Sequence, residues 1–301
     1  MAAKEPGLDT EEAPWQKMVK VFGSRTATEH AAHLLPYLKP HFRILDVGCG
    51  VGSITLDLAN LVPDGEVLGI DTNQSTTDMA KQMAQDRGVS NVKFSVGDAH
   101  DLSAFSDESF DVVHAHQVML HLPDPVKALT EMRRVLKTGG VLSLRDNVRT
   151  HRVLTCTSGS RLTLLDRPIP LSTRPVDTTE SRHVEHQRVS THRLTILDWF
   201  RDFSRKTGAE PQGGLYIHDW TNRAGFPWGH IQESPTTWTV TTLEQRRFFA
   251  SGAKTGFRAL GLKAGYGIEQ DFDEIERRWV AWAEKDAGRM MFVDATVIAF
   301  K

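Results

Sequence analysis

Cysteine is scarce in this chain, which contains only Cys49 and Cys156 among its 301 residues. Two cysteines without a metal-binding spacing exclude a disulfide framework and fit a reducing compartment. The sequence also lacks an uninterrupted apolar run of about twenty residues, the length that a membrane-spanning helix needs. The N-terminal stretch MAAKEPGLDTEEAPW lacks the apolar core of a signal peptide. These absences predict a cytoplasmic protein without a membrane partner.

An excess of charge of one sign is also missing. The 36 basic and 38 acidic residues give a formal net charge of -2. No basic field over the whole sequence would therefore draw this chain to nucleic acid or to an anionic membrane. The hydrophobic fraction of 40% and the charged fraction of 25% are those of an ordinary globular protein. We expect no nucleic-acid partner.

What the sequence does contain is an alternation of short apolar runs and helical patterns. This alternation predicts an α/β fold, doubly wound, with a parallel sheet and helices on both faces. The predicted strands of the first half are 43–48, 66–71, 91–99, 110–116 and 139–146, and the predicted helices are 53–62, 75–88 and 125–140. The predictions for the second half are helices 194–208, 215–226, 242–261 and 271–288, a strand 229–240 interrupted by Pro235, and a closing strand 292–300.

Three glycines follow the first predicted strand in the stretch RILDVGCGVGSITLDLA, residues 43–59. Glycine is costly inside a helix or strand but suits a tight turn or close contact between a ligand and the backbone. Gly48, Gly50 and Gly52 therefore predict a ligand-binding loop. A phosphate-binding loop needs Lys and then Ser or Thr after its last glycine, and a dinucleotide loop needs G-x-G-x-x-G. This chain has Ser53 after G-x-G-x-G, which leaves S-adenosylmethionine, a ligand without phosphate, as the remaining choice.

An acidic residue stands at each of the first three strand ends. Asp46, just ahead of the glycine loop, can accept from the ammonium group of S-adenosylmethionine directly or through water. Asp71 ends the second strand and can accept both ribose hydroxyls. Asp98, followed by Ala99, can accept from the adenine amine after the third strand. An aspartate at a strand end is also a common turn residue, but three in this order predict an adenosyl-sulfonium site.

On these residues the chain resembles the class I S-adenosylmethionine-dependent methyltransferases. It is similar to the ubiquinone/menaquinone-biosynthesis-type group, especially small-molecule methyltransferases of fungi and actinobacteria. The resemblance implies a Rossmann-like sheet, S-adenosylmethionine as cofactor, and methyl transfer to a small organic acceptor, a secondary metabolite or quinone-like ring. The stretches that carry it are RILDVGCGVGSITLDLA, EVLGIDTN, VGDAHDL, FDVVHAHQVMLHLPDPVKALTEMRRVLKTGG and NRAGF.

The resemblance also implies which residues bind the cofactor. Residues of the loop and of the strand before it would face the methionine part. Two residues at the end of the second strand would contact the ribose, and two at the end of the third strand would contact the adenine. Residues just after the fourth strand, and an arginine of the N-terminal cover, would lie near the sulfonium. In that order these residues are Asp46, Gly48, Gly50 and Gly52; Asp71 and Thr72; Asp98 and Ala99; His116 and Gln117; and Arg25.

Residues 149–193 break the alternation, because they show no clean period and are rich in Arg, Thr, His and Pro. We interpret them as an insertion after the fifth strand, with a β-ribbon over 183–197. We expect a mobile tail followed by one methyltransferase domain made of a helical cover, a cofactor-binding core, an acceptor cap and a C-terminal part. Their ranges are 1–14 for the tail, and 15–40, 41–148, 149–235 and 236–301 for the parts of the domain. Long irregular segments often serve assembly, which suggests a homodimer.

Candidate catalytic residues are His121 in MLHLPDP, His218 in LYIHDW and Asp146 at the end of the fifth strand. A base is needed only where the attacking group must lose a proton. Each histidine also has an ordinary explanation, His121 as a packing residue before a proline turn and His218 at the start of a surface helix. His183 and His186 could bind a metal together, but no further ligands accompany them, so we expect no metal site.

Other functions stay open at this point. Many relatives carry an R-E-S-D-like run after the fifth strand, whereas this chain has Arg145-Asp146-Asn147-Val148. That change and the long insertion both fall where the acceptor should bind. They motivate an enzyme that keeps the cofactor but promotes a rearrangement, cyclisation or dehydration without methyl transfer. A nucleic-acid methyltransferase, which would carry an Asn/Asp-Pro-Pro-Tyr-like element after the fourth strand, and a non-catalytic binding protein are two further alternatives.

Overall fold

The computed structural model describes residues 23–148, 154–156, 162–164, 204–206, 208–252, 258, 262, 269–285 and 288–301. The predicted tail, the predicted β-ribbon with its histidines, most of the predicted insertion and most of the predicted helix 194–208 lie outside these residues. Within the ranges that are described, no helix is long and apolar enough to cross a membrane.

Nine strands occur in the described residues. They are β1 Arg43–Val47, β2 Glu66–Asp71, β3 Val92–Val96, β4 Phe110–His116, β5 Leu136–Asn147, β6 Leu154–Cys156, β7 Leu162–Leu164, β8 Ile231–Val240 and β9 Met290–Phe300. Seven form one sheet in the order β3-β2-β1-β4-β5-β9-β8, and β6 pairs with β7. Strands β1 to β5 are parallel, whereas β9 runs antiparallel to both β5 and β8. The predicted doubly wound α/β fold is therefore confirmed.

The helices begin where the sequence provides the right terminal residues. Asn73 Oδ1 accepts the backbone N–H of Ser75 at 2.9 Å, and Asp124 Oδ1 accepts that of Lys127 at 3.0 Å, with Pro125 at the first helical position. The α-helices in the described residues include α1 Ala27–His30, α2 Ser53–Leu61, α3 Gln74–Asp86, α4 Pro125–Val135, α5 Ile217–Arg223, α6 Leu243–Gly252 and α7 Glu269–Ala283.

Helices cover both faces of the sheet. On one face, α1 and α2 pack on apolar residues of the strands, and on the other face α4 and α5 do so. Because both faces are buried, the central strands read as continuous apolar runs. A further cluster joins α6 and α7 to the antiparallel pair β8–β9 through Val240, Ala250, Trp282 and Met290. The described part of the N-terminal cover is short: α1, turns, and a 3-10 helix over Leu35–Tyr37.

The prediction that Pro235 interrupts a strand was wrong. Strand β8 runs without a break from Ile231 to Val240, and Pro235 pairs with Ala295 of β9. Strand β8 lies at the edge of the sheet, so it has a neighbour on one side only. A proline is tolerated there because its missing N–H can face away from the ladder.

The prediction that a helix extends to residue 140 was also wrong. Helix α4 ends at Val135, and β5 begins at Leu136. The two glycines that suggested a helix end lie in strand β5 instead. Gly139 has φ of +77° and donates to the Lys301 carbonyl, and a Cβ on Gly140 would lie 3.0 Å from the Asp111 carbonyl oxygen. Elsewhere the predicted bounds shift by a few residues; β3, for example, ends at Val96 rather than at residue 99.

Candidate cofactor and acceptor site

The glycine loop turns sharply after β1. The N–H groups of Gly48 and Cys49 both donate to the Ile70 carbonyl, at 2.7 and 2.9 Å. Gly48 has φ of +71°, and a Cβ there would lie 2.4 Å from Val118 Cγ2, so only glycine fits. Gly50 also has a positive φ, +54°, but a Cβ there would meet nothing within 4 Å. The backbone at Gly50 has open space beside it, so a ligand can approach it closely.

The carboxylate predicted to hold the ribose lies next to this loop. Asp71, half-buried at the end of β2, accepts the N–H of Gly50 at Oδ2 (3.1 Å) and that of Asn73 at Oδ1 (3.0 Å). Each carboxylate oxygen has a second lone pair, so both can still accept a hydroxyl. Thr72 follows and is exposed. Gly52, with φ of +81°, caps the start of α2.

The third predicted carboxylate lies at the same edge of the sheet. Asp98 follows β3 and is exposed, while Ala99 is buried. Asp98 Oδ1 accepts the backbone N–H of His100 at 2.8 Å and contacts its ring Nδ1 at 2.9 Å. These two hydrogen bonds lower the pKa of Asp98 from its ordinary value. The structure thus brings the glycine loop, Asp71 and Asp98 together at the carboxyl ends of three adjacent strands.

Asp46 is bound within the protein on both oxygens. The Thr55 hydroxyl donates to Oδ2 at 2.5 Å, and His114 Nδ1 lies 2.8 Å from Oδ1. A carboxylate only accepts, so His114 carries its proton on Nδ1. Asp46 is 3% exposed. Its predicted contact with the methionine ammonium would have to use a remaining lone pair, and that contact stays a prediction.

The sheet face below the N-terminal cover becomes polar toward the carboxyl ends of the strands. His114 is in register with Asp46 and Ser143, and His116 is in register with Arg145 one pleat further on. Asn147 then pairs with Asp294 of β9. The corresponding positions nearer the other end of the strands are apolar, because Ile44, Val112 and Val141 belong to the buried core. Polar side chains therefore accumulate where the residues predicted to bind the cofactor lie.

Asp294 connects most of this polar edge and was missed by the sequence analysis. Its Oδ2 accepts from Arg145 Nε at 2.8 Å, and its Oδ1 accepts from Asn147 Nδ2 at 2.7 Å and from Trp238 Nε1 at 3.4 Å. Arg145 Nη1 also donates to the Glu29 carbonyl at 2.6 Å, which attaches the cover to the sheet. The available signal was a single charge in the apolar run FVDATVIAF.

His116 lies at the end of β4 and is 8% exposed. Arg25 Nη1 lies 3.4 Å from its Nδ1, and the ring of His30 meets its ring edge to face with centroids 5.4 Å apart. Nε2 is buried and has no hydrogen-bond partner in the described part of the chain. Gln117 follows with φ of +58°, unusual for a residue with a side chain, and donates its N–H to the Arg145 carbonyl at 2.7 Å.

Burial lowers the pKa of three imidazoles here, those of His116, His30 and His33. The pKa of His116 lies well below its ordinary value, first because of burial and then because of nearby ionisable groups, namely Arg25, His114, His30 and Arg145. Burial also lowers the pKa of His30 to about 4 and that of His33 to about 3. The same cause lowers the pKa of Arg25 to about 10, which leaves its guanidinium charged at neutral pH.

Asp146 points to the other face of the sheet. It is completely buried, and its Oδ2 accepts the Met119 N–H at 3.2 Å, while Oδ1 lacks a hydrogen-bond partner within the described ranges. Burial raises the pKa of Asp146 well above its ordinary value. Asp146 therefore anchors the 3-10 turn Met119–His121, on which His121 is exposed.

His218 lies apart from these residues. It is on α5, 3.5 Å from Glu233 of β8, and its ring centroid is 6.1 Å from that of Trp228. Glu233 is in register with Val297, which pairs with Leu144, three residues before β5 ends. The structure thus does not bring His218 to the edge that carries the cofactor residues. Catalytic roles for His121, His218 and Asp146 stay predictions.

Residues 38–170 match a family model described as a methyltransferase domain. These residues form a class I S-adenosylmethionine-dependent methyltransferase domain. The sequence resemblance is therefore confirmed, and S-adenosylmethionine is the cofactor of this methyltransferase. The open space at Gly50 and the remaining lone pairs of the Asp71 carboxylate fit such a ligand.

The methyltransferase is similar to several known proteins. It is 26% identical to an uncharacterized methyltransferase of Schizosaccharomyces pombe, over 91% of this chain and 90% of that protein. It is 39% identical to the probable methyltransferase ltbC of Aspergillus luteorubrus, over 42% of this chain and 48% of that protein, so it spans about half of that relative. The crystal structure of the Bacillus subtilis YcgJ protein has the same fold, with a TM-score of 0.51, 18% identity, and coverage of 90% of this chain and 98% of that one.

Proposed function

We propose that this methyltransferase transfers a methyl group to a small organic molecule, a secondary metabolite, in the cytoplasm, with neither nucleic acid nor a membrane as partner. The observation that carries the proposal is the juxtaposition of two sets of residues at one edge of the sheet. The cofactor residues lie at the ends of β1 to β3. Next to them lies what we call the acceptor edge, formed by the buried polar residues His116, Arg145, Asn147 and Asp294.

Bound S-adenosylmethionine supplies a sulfonium with an electrophilic methyl group. The residues of this chain would hold and align the reactants and exclude water, which is the main contribution a protein makes to such a displacement. Asp71 would accept the ribose hydroxyls, and Gly50 would let the backbone approach the ligand. The positive φ of Gln117 and its N–H bond to the Arg145 carbonyl would fix the position of the acceptor edge relative to the cofactor.

The proposal is tested with cofactor that carries an isotopic label on its methyl group. The purified chain is incubated with this cofactor and with panels of small carboxylic acids, phenols and amines, and products are identified by mass. Label in a small-molecule product supports the proposal. Label retained by the cofactor while an acceptor is converted would favour the non-methylating alternative. Cofactor binding without conversion of any member of the panels would favour a binding protein.

A further inference from the structure

We propose that His116 donates a hydrogen bond from Nε2 to a carboxylate of the acceptor, so that the molecule methylated here is an organic acid. This inference rests on the proposed function and names its substrate class. The residue lies at the acceptor edge, where the resemblance places it near the sulfonium. Its side chain is almost fully buried and has one unpaired polar atom in the described structure.

Arg25 decides which nitrogen of His116 carries the proton. A guanidinium only donates hydrogen bonds, so His116 Nδ1, 3.4 Å from Arg25 Nη1, accepts. The neutral ring must then carry its proton on Nε2. The unpaired atom is therefore an N–H donor, and an unsatisfied buried donor costs free energy until a ligand atom accepts from it. The acceptor molecule must supply an atom with a lone pair.

The charges around His116 favour an anion. The guanidinium groups of Arg25 and Arg145 both act on its ring. The carboxylate of Asp294 pairs with Arg145, and its two oxygens already accept from three side chains. Asp46, one pleat away, is bonded to Thr55 and His114. An anionic oxygen would thus meet a donor and two nearby positive charges, whereas an ammonium group would be repelled.

His116 also cannot act as a base, because Nε2 already holds a proton and Nδ1 faces Arg25. An acceptor carboxylate needs no base, because it is already without its proton at neutral pH. The transfer then balances. An oxygen lone pair forms the new bond to the methyl carbon, the electron pair of the carbon–sulfur bond stays on sulfur, no proton is released, and the product is a methyl ester.

The aromatic residues beside Asp294 suggest the probes. Trp238, whose Nε1 reaches Asp294, stacks on Phe292 with ring centroids 4.1 Å apart. Cinnamate and its amide, cinnamamide, have the same flat shape and differ in charge. Calorimetry is carried out on the full chain saturated with S-adenosylhomocysteine. We expect cinnamate to bind at least about tenfold more tightly than cinnamamide, since a hydrogen bond to a charged group is worth about 1.5–3 kcal/mol.

Two variants test whether the Nε2–H group of His116 binds the acid or the cofactor. His116→Phe should reduce the preference for the acid to about twofold or less, and the affinity for S-adenosylhomocysteine is measured in the same variant. His116→Gln keeps a donor and should retain part of the preference. Nitrogen-15 NMR of the imidazole should show the proton on Nε2 in the wild type and a mixture of tautomers in Arg25→Ala.

Several results would overturn the inference. They are equal binding of acid and amide, no binding of either, an unchanged preference in His116→Phe, or a large loss of S-adenosylhomocysteine affinity in that variant, which would assign the nitrogen to the cofactor. Label transferred into an alkali-stable ether or amine, rather than an alkali-labile ester, would overturn it while leaving the proposed function intact. Failure of the wild type to bind S-adenosylmethionine would instead remove the proposed function itself.

Discussion

Arg145 at the end of β5 and Asp294 on β9 form an ion pair that is almost completely buried, with 2.8 Å between Nε and Oδ2. The pair joins two strands that are far apart in the sequence, and through the Glu29 carbonyl it also holds the N-terminal cover. A buried pair of this kind adds little stability compared with apolar side chains, but removal of one partner leaves an unpaired buried charge.

We therefore expect Asp294→Asn to destabilise the protein by about 3–5 kcal/mol, because Arg145 loses its partner in a buried setting. Urea unfolding followed by circular dichroism measures this change. The matched control is Asp219→Asn, which removes an exposed pair with Arg223 at 3.6 Å. That change should cost no more than about 1 kcal/mol. Similar losses of unfolding free energy in the two variants would show that removing a partner from the buried pair costs no more than removing one from an exposed pair.

The assignment of the ribose contact is tested by Asp71→Ala. Two ribose hydroxyls would lose their acceptor in a partly buried site, so we expect affinity for S-adenosylmethionine to fall by at least about tenfold, as measured by calorimetry. Asp78→Ala is the control, since Asp78 is an exposed residue of the neighbouring helix α3 that pairs with Lys81. An unaltered affinity in Asp71→Ala, with the control also unaltered, would contradict the assignment.

Burial of Asp146 should make the stability of the protein depend on pH. Its pKa is raised in the folded state, so its contribution to stability is complete below its unfolded-state pKa of about 3.9 and is lost as pH rises toward the folded-state value. Asp146→Asn keeps an oxygen for the Met119 N–H and cannot ionise. We expect the variant to be more stable than the wild type at neutral pH, by a margin that shrinks as pH falls toward about 4.

Activity separates the two roles of Asp146. If it only anchors the turn that carries His121, the turnover of Asp146→Asn should match the wild type under conditions where both are folded. Loss of turnover together with the gain in stability would instead support the catalytic role predicted from the sequence. A variant that is less stable than the wild type at every pH would refute the stabilising effect of the neutral form.

Two half-buried imidazoles of the N-terminal cover should make the protein sensitive to acid. The folded-state pKa values of His30 and His33 are about 4 and about 3, below the ordinary value of about 6.5. The unfolded chain therefore binds more protons below about pH 6.5, and stability should fall as pH drops from there toward about 4. The slope is at most about 1.4 kcal/mol per pH unit for each imidazole.

His33→Gln tests this source of acid sensitivity. His33 Nε2 lies 3.0 Å from the Ser143 hydroxyl, and glutamine offers polar atoms to the same partner. The free energy of unfolding, measured between about pH 7 and pH 5, should fall less steeply in the variant. The reason is that unfolding of the variant takes up to one proton fewer. His41→Gln, which replaces an exposed imidazole, is the control. Equal slopes in His33→Gln and the wild type would locate the sensitivity elsewhere.

The fold and the cofactor half of the site could be predicted from the sequence because both depend on local patterns. An apolar run followed by Gly48, Gly50 and Gly52 specifies a strand and a tight turn, since few other residues adopt positive φ. Parallel strands must then bring their carboxyl ends to one edge, which is why Asp71 and Asp98 lie near that loop. The alternation of strands and helices is enough to predict this arrangement without any knowledge of tertiary contacts.

The acceptor half could not be predicted in this way because it depends on pairs of residues far apart in the chain. Asp294 meets Arg145 only because β9 runs antiparallel beside β5, and Arg25 meets His116 only because the cover folds over β4. Burial, which lowers the pKa of His116 and raises that of Asp146, is likewise a property of the packed molecule. Local sequence thus determined the glycine turn after β1, while tertiary packing decided which polar groups are buried together at the ends of the neighbouring strands.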